Sequence, residues 1–315
     1  IKDRLGDIVG EIQTLSDPKP GHDLTLSVDS NIQYLAYRTL KETVNKFKAE
    51  SGSAIVLDVQ TGEILAMVNQ PSYNPNDRPE HNVSVYRNRA VTDLFEPGST
   101  LKSFSIASAL KSGKFKPDSK INTNPGWLIV AGKKVVDEDI NHGVLTVSGV
   151  LQKSSNIGVA KITLALPPEN LIQILEDFGF GVSTISGFPG EATGKLPENV
   201  DNRPFVLATL AFGYGVSVTP LQLARAYAII GNGGKAIPVT FVKSPAIALG
   251  KTILDTSITK QLLAMLETVL ETGGSGTRGK VSGYKVAGKT GTAGIAGPNG
   301  YEKNKYTATF AGIAP

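Results

Sequence analysis

The chain has no cysteine in 315 residues, which removes disulfides, thiolate nucleophiles and cysteine-bound metals from the chemistry open to it. The cellular compartment stays open on that count, because exported proteins also occur without cysteine. Histidine is almost as scarce. His22, His81 and His142 all sit in loop-like surroundings, none beside an obvious nucleophile, so a Ser-His-Asp triad fits poorly. No apolar run approaches the ~18 to 20 residues that span a bilayer, and the N-terminus has no signal-peptide pattern. Blocks of five or more like charges are also missing. Lys and Arg number 32 against 28 Asp and Glu, a net charge of +4 that reads as a mildly basic, solvated surface. No glycine-rich phosphate loop, zinc-type spacing or RNA-binding aromatic pattern accompanies that charge, so neither nucleic acid nor a metal is an expected partner.

What is present is enough apolar residue, 40%, for a packed core. Residues 1–22 are polar and contain Pro18 and Pro20, which reads as an incoming linker or the remnant of a preceding region. Leu24 to Val28 reads as a short strand. Asp29 or Ser30 can then cap a helix whose apolar positions, Ile32, Leu35, Ala36, Leu40, Val44 and Phe47, keep a helical period. Ala54 to Val59 and Ile64 to Asn69 predict a hairpin with Gly62 in its turn. From about 76 to 280 helical signals dominate, near 99–112, 157–166, 168–178, 220–231 and 257–272. Thr219-Pro220 reads as a cap followed by a first-turn proline, and Gly273-Gly274 as a stop. Strand texture returns at Tyr284 to Ala287 and Tyr306 to Ile313. The pattern predicts one sheet built from residues 23–75 and 281–315, a helical subdomain from 76–280 beside it, and a cleft between the two. A start at Ile1 without Met and a stop at Pro315 after a strand-like run suggest a piece of something longer.

Without a histidine triad or a thiol, a serine hydroxyl can be activated by a neutral lysine, a state favoured by burial or by a neighbouring cation. Three residues apart on a helix, Ser and Lys share a face with Cβ atoms about 5 to 6 Å apart. Ser-x-x-Lys occurs at Ser16, Ser99, Ser108, Ser257 and Ser282. Pro18 interrupts the first, Ser257 reads as a helix cap, Ser282 lies in a turn, and Ser108 with Lys111 closes a helix before Gly113. Ser99 with Lys102 differs, because Glu96-Pro97-Gly98 turns the chain sharply into a helix. The hydroxyl and its own N–H then stand at a helix N-terminus, where partial positive charge stabilises an oxyanion.

The segments Arg87-Asn88-Arg89-Ala90 and Phe95 to Lys102 resemble the active-serine region of penicillin-binding proteins. Two further motifs then have counterparts in the order the resemblance implies. Ser154-Ser155-Asn156 supplies Ser-x-Asn between two helical runs, whereas Ser72 and Asn74 sit in a Pro-rich turn where capping is the expected role. Lys289-Thr290-Gly291-Thr292 supplies Lys-Thr-Gly on a strand, where small glycines let a substrate backbone approach. The competing Lys111-Ser112-Gly113 is a helix end. The run from Glu63 to Asn76 is similar to class B, cell-division-type members from Gram-negative bacteria.

That resemblance implies an α/β fold of the transpeptidase and serine β-lactamase-like kind, an antiparallel sheet flanked by helices plus an all-helical subdomain. It implies residues 23–315 as the transpeptidase domain, with a C-terminal strand and helix missing after Pro315. It implies a periplasmic location, an N-terminal inner-membrane anchor, and divisome partners including a membrane glycan polymerase. Its substrates would be peptidoglycan stem peptides, a D-Ala-D-Ala donor and a diamino-acid acceptor, and β-lactams its inhibitors. Ser99 would be the nucleophile, Lys102 its base and Ser154 a proton relay. Asn156, Lys289, Thr290, Gly291 and Thr292 would bind substrate, with Phe212 and Tyr214 lining the cleft. No cofactor is implied. Gly187 to Glu191 also resembles the family, and its turn-rich setting makes Glu191 a structural carboxylate. The same motifs serve D,D-carboxypeptidases and serine β-lactamases, which resolve the acyl-enzyme with water, and a non-catalytic β-lactam sensor is a third reading.

Overall fold

The computed structural model describes residues 2–10, 19–77, 83–137, 141–243, 249–297 and 300–315. His81 and Ser16 lie outside them. Helix α1 (Ser30–Phe47) starts where the Asp29 carboxylate accepts the N–H groups of Asn31 and Ile32, two of the donors a helix start leaves unpaired. It packs on an antiparallel hairpin, β1 (Gly52–Leu57) and β2 (Ile64–Gln70), whose turn needs Gly62 at φ +75°. A Cβ there would lie 2.2 Å from the Pro238 carbonyl. Of the apolar positions of α1, Leu35 and Phe47 stay exposed, because two strands cover only one side of the helix. Leu24 to Val28 is not the strand its composition suggests. Ser27 N–H bonds to Phe241 O and Lys243 N–H to Thr25 O around one isolated bridge, and no ladder extends from it.

After the short helix α2 (Arg89–Thr92), a 3₁₀ turn (Gly98–Leu101) leads into α3 (Lys102–Lys111). Every residue of α3 from Lys102 to Leu110 is buried, so this helix runs through the interior. Phe104 is its centre, meeting Phe178, Phe180 and Tyr227 edge-on at 5.0, 5.1 and 5.4 Å. Burying such a ring stabilises the fold by about 1.5 to 3 kcal/mol before those contacts are counted. Two of the three serines in α3 find hydrogen-bond partners. The Tyr227 hydroxyl donates to Thr100 O at 2.8 Å, which leaves Ser103 to donate to the phenol oxygen at 2.8 Å, and Ser105 donates to Ala211 O.

Strands β3 (Lys120–Asn122), β4 (Trp127–Val130), β5 (Lys133–Val136) and β6 (Val144–Thr146) form two small antiparallel pairs, β3 with β6 and β4 with β5. They sit inside the part of the chain that reads as helical, and at three or four residues each they are too short to show alternation. Helices α4 (Val147–Gln152), α5 (Asn156–Leu164) and α6 (Pro168–Asp177) pack around α3, and α7 (Pro204–Leu210) packs on α5. Helix α8 (Pro220–Gly231) begins with a reciprocal cap between Thr219 and Gln222 behind Pro220. Strands β7 (Lys235–Ala236) and β8 (Lys251–Thr252) precede α9 (Thr256–Thr268). Asp255, not Ser257, occupies the cap of α9, and the helix ends before Gly273. The chain then forms a long hairpin, β9 (Ala287–Gly297) with β10 (Gly300–Ile313), which starts three residues later than its composition suggests.

The architecture is therefore sheet elements plus a helical subdomain, with one difference from the expected single sheet. Among the described residues no ladder joins β1–β2 to β9–β10. Helix α8 joins them instead, with Val59 and Ile313 both against Gly231. No described helix is long and apolar enough to cross a membrane.

Candidate active site

Ser99 lies in the 3₁₀ turn, not in the first turn of an α-helix. In a 3₁₀ turn residues three apart eclipse one another, and the Lys102 amine accordingly stands 2.7 Å from Ser99 Oγ. The other Ser-x-x-Lys matches among the described residues show no such pairing. Lys111, for example, turns outward to Asp177 at 3.4 Å.

Lys102 is fully buried, and its amine also reaches Ser154 at 2.6 Å to the carbonyl and 3.1 Å to Oγ. Ser154 can present both oxygens because it sits at φ +59° in the tight turn between α4 and α5. From the opposite side Lys289 Nζ, also fully buried, donates to the same Ser154 Oγ at 2.9 Å and to Thr290 O at 3.2 Å. Ser99, Lys102, Ser154 and Lys289, brought from three distant segments, thus form one hydrogen-bonded chain. Asn156 begins α5 next to it, with its side-chain N–H donating to Val136 O at 3.0 Å. The hydroxyls of Thr290 and Ser275 lie 3.2 Å apart.

Asp137 is a residue that sequence reading missed. It is buried at 4% exposure and accepts the N–H groups of Asn156 and Ile157 on one oxygen and the Ser155 hydroxyl on the other. A carboxylate at the start of α5 therefore fixes the turn that holds Ser154. Its only sequence signal is an acidic residue ending a short β-run. Asp137→Ala strands two helix-start donors and a hydroxyl, and is expected to lower unfolding free energy by about 2 to 3 kcal/mol, measured by urea denaturation. Asp137→Asn, which keeps an acceptor for the N–H groups, is expected to lose less.

Strand β9 runs against the turn that carries Ser99. A Cβ on Gly98 would lie 3.0 Å from Thr292 O, and one on Gly291 would lie 2.7 Å from Pro97 O. Within an extended strand a residue's N–H and C=O point to the same edge. The Thr292 N–H therefore faces the side of β9 on which Ser99 sits.

On the other flank Gly98 N–H donates to Gly213 O at 3.2 Å, and Phe95 exchanges two backbone bonds with Val218. Gly213 has φ +90°, and a Cβ there would sit 2.0 Å from Gly98 O. Gly213→Ala is expected to reduce stability by about 2 kcal/mol or more through forced φ and displacement of the turn that carries Ser99, again read by denaturant unfolding. Phe212, expected to line the cleft, is instead packed in the core at 8% exposure, because its ring lies on the interior side of this tight turn. Only Tyr214 of that pair offers a half-open ring, edge-on to Phe212 at 5.8 Å. Glu191 stands apart from this site. Burial pushes its carboxyl up, but hydrogen bonds from Thr184 and Ser186 outweigh that and hold it below the ordinary carboxylate value. It ties its own loop together.

Residues 52–315 match the family model of the penicillin binding protein transpeptidase domain. The chain belongs to that family. It is 41% identical over 98% of its length to the probable peptidoglycan D,D-transpeptidase PbpC of Pseudomonas aeruginosa, covering 55% of that protein. It is 43% identical over 100% of its length to the peptidoglycan D,D-transpeptidase FtsI of Escherichia coli K12, covering 53% of it. The chain thus spans about half the length of these curated relatives. It superposes with TM-score 0.85 on the apo TP domain of penicillin-binding protein 3 from Burkholderia pseudomallei, at 40% identity over 94% of this chain and 86% of that one. Membership in the transpeptidase family accounts for the order of the three motifs and for their convergence on Ser154.

Proposed function

We propose that the chain is the catalytic part of a serine D,D-transpeptidase that cross-links peptidoglycan stem peptides in septal wall synthesis and is inhibited by β-lactams. The observation that supports this best is the buried chain of hydrogen bonds from Ser99 through Lys102 and Ser154 to Lys289. An unprotonated lysine has one lone pair and two N–H donors. With the lone pair of Lys102 toward Ser99 Oγ, its N–H groups meet Ser154 O and Oγ. In this proposal Lys102 is the uncharged amine that accepts the proton.

In this reading Lys102 takes the Ser99 proton as Oγ bonds to the penultimate D-Ala carbonyl carbon. The carbonyl electrons move to oxygen, which the N–H groups of Ser99 and Thr292 hold. Collapse of that intermediate breaks the C–N bond, and the proton returns from Lys102 through Ser154 to the departing D-Ala nitrogen. An acyl-enzyme remains. A diamino-acid amine of a second stem peptide then attacks the ester carbonyl and loses its proton, the C–Oγ bond breaks, and Ser99 Oγ regains a proton. Lys289 supplies positive potential, Thr290 and Thr292 bind the donor's terminal carboxylate, Gly291 admits its backbone, and Asn156 binds its amide.

Residues 23–315 form the transpeptidase domain in this proposal, and residues 1–22 a linker. The resemblance to cell-division-type penicillin-binding proteins implies a periplasmic domain of an inner-membrane protein that works beside other division proteins, a glycan polymerase among them. The test is twofold. Intact-mass spectrometry after benzylpenicillin should show one stable adduct per chain, and a D-Ala-D-Ala donor with a diamino-acid acceptor should yield free D-Ala and a new amide. Rapid turnover of a chromogenic β-lactam would make the chain a hydrolase instead. Adduct formation without D-Ala release would make it a sensor.

A further inference from the structure

The two N–H groups assigned above to the oxyanion come from different segments, Ser99 from the turn before α3 and Thr292 from β9. Their spacing depends on what ties the nucleophile segment to the β9–β10 hairpin. Beside the direct packing of β9 on Pro97 and Gly98, Glu96, three residues before Ser99, adds a hydrogen-bonded tie. Its Oε2 accepts the Tyr301 hydroxyl at 2.8 Å, and its Oε1 accepts the Gly215 N–H at 2.7 Å. Tyr301 belongs to β10, pairs with Ala296 of β9, and lies across Gly294, where a Cβ would come within 3.0 Å of the ring. It also meets Tyr214 edge-on at 5.6 Å. One carboxylate therefore links the nucleophile segment, the 213–215 turn that presses on Gly98, and the hairpin that carries Thr292.

We propose that Glu96 is a positioning residue, which through its bond to Tyr301 sets the separation of the Ser99 and Thr292 N–H groups and so the rate of acylation. The inference rests on the acyl-enzyme reading. The Tyr301 phenol suits the role, because burial first, and then its bond to Glu96 and the charge of Glu96, keep it well above its ordinary pKa and so in the donating form. Tyr301 is 54% exposed, so removing its hydroxyl leaves the core intact. A small displacement of preorganised donors is enough to slow a reaction by one to two orders of magnitude.

The experiment measures benzylpenicillin acylation of the full chain by stopped-flow, separating the rate constant at saturation from the dissociation constant of the preceding complex. Tyr301→Phe and Glu96→Ala are each expected to lower the rate constant about tenfold and to leave the dissociation constant within about twofold. The double variant should be no slower than Glu96→Ala, since the bond that Tyr301→Phe removes is already lost there. Glu96→Gln should stay within about threefold of wild type, because an amide can accept the Gly215 N–H and donate to the phenol oxygen. The inference is overturned if Tyr301→Phe acylates at the wild-type rate, if the two losses multiply, if the loss falls in the dissociation constant, or if Gln fares no better than Ala. A wild-type chain that forms no adduct overturns the acyl-enzyme reading and this inference together, whereas a normal wild type beside an unaffected Tyr301→Phe overturns the clasp alone.

Discussion

Ser99→Ala is expected to abolish the covalent β-lactam adduct while leaving the fold unchanged. The side chain loses one oxygen from a half-buried position in a 3₁₀ turn whose backbone is fixed by other groups. Thr100 Oγ1 donates to Pro97 O at 2.7 Å, and Gly98 is held by Gly213. Neither bond involves the Ser99 hydroxyl. Intact mass after incubation with benzylpenicillin should therefore show unmodified protein, and thermal unfolding should stay close to wild type. A variant that still gains the mass of the drug would remove Ser99 from the mechanism. The second serine of the network is no substitute. Ser154 Oγ is approached by two lysine amines and sits beyond Lys102 from the nucleophile turn.

Removing the base is expected to slow acylation without abolishing it. Loss of a positioned general base costs about 10²- to 10⁴-fold, and Lys102→Met should fall in that range because the oxyanion donors are backbone groups that survive the change. Methionine is the informative replacement. Lys102 is fully buried, so alanine would add a cavity to the chemical effect, while methionine fills most of the volume without an amine. The rate constant for acylation at saturating β-lactam, followed by stopped-flow with a fluorescent penicillin, reads the effect. An unchanged value would exclude Lys102 as the base. A comparable loss in Lys289→Met would instead show that the positive charge on the far side of Ser154 matters as much as the proton acceptor.

The parts of this site that were legible in the sequence share one property, dependence on near neighbours in the chain. Ser99 and Lys102 are three residues apart, Ser154 and Asn156 flank a helix start, and Lys289 to Thr292 follow one another along a strand. Asp29 and Thr219 announced their helices by the same local logic. The rest depends on contacts that no local pattern encodes. Asp137 acts on a turn 18 residues downstream, and Glu96 meets a phenol 205 residues away. Local pattern also misled. Leu24 to Val28 has the composition of a strand but only an isolated bridge as partner, and Phe212, in a segment that resembles a cleft lining, is buried in the core. Strand composition likewise gave no hint that the two hairpins would be joined through α8 and not by a ladder.

The burial of α3 on every side has a dynamic consequence. A helix with one wet face can loosen by itself, because its solvent-side bonds open without disturbing the core. A helix enclosed on all sides cannot, since exposing its amides requires the surrounding helices to separate. Lys102 is the first residue of that helix, and Ser99 is one short turn before it. Lys102 is thus anchored in an enclosed helix, while Tyr301 belongs to β10, most of whose residues are exposed. Opening at the site is therefore expected to begin in β10, and not in α3 or the first half of β9, where Ala287 to Lys289, Gly291 and Ala293 are buried.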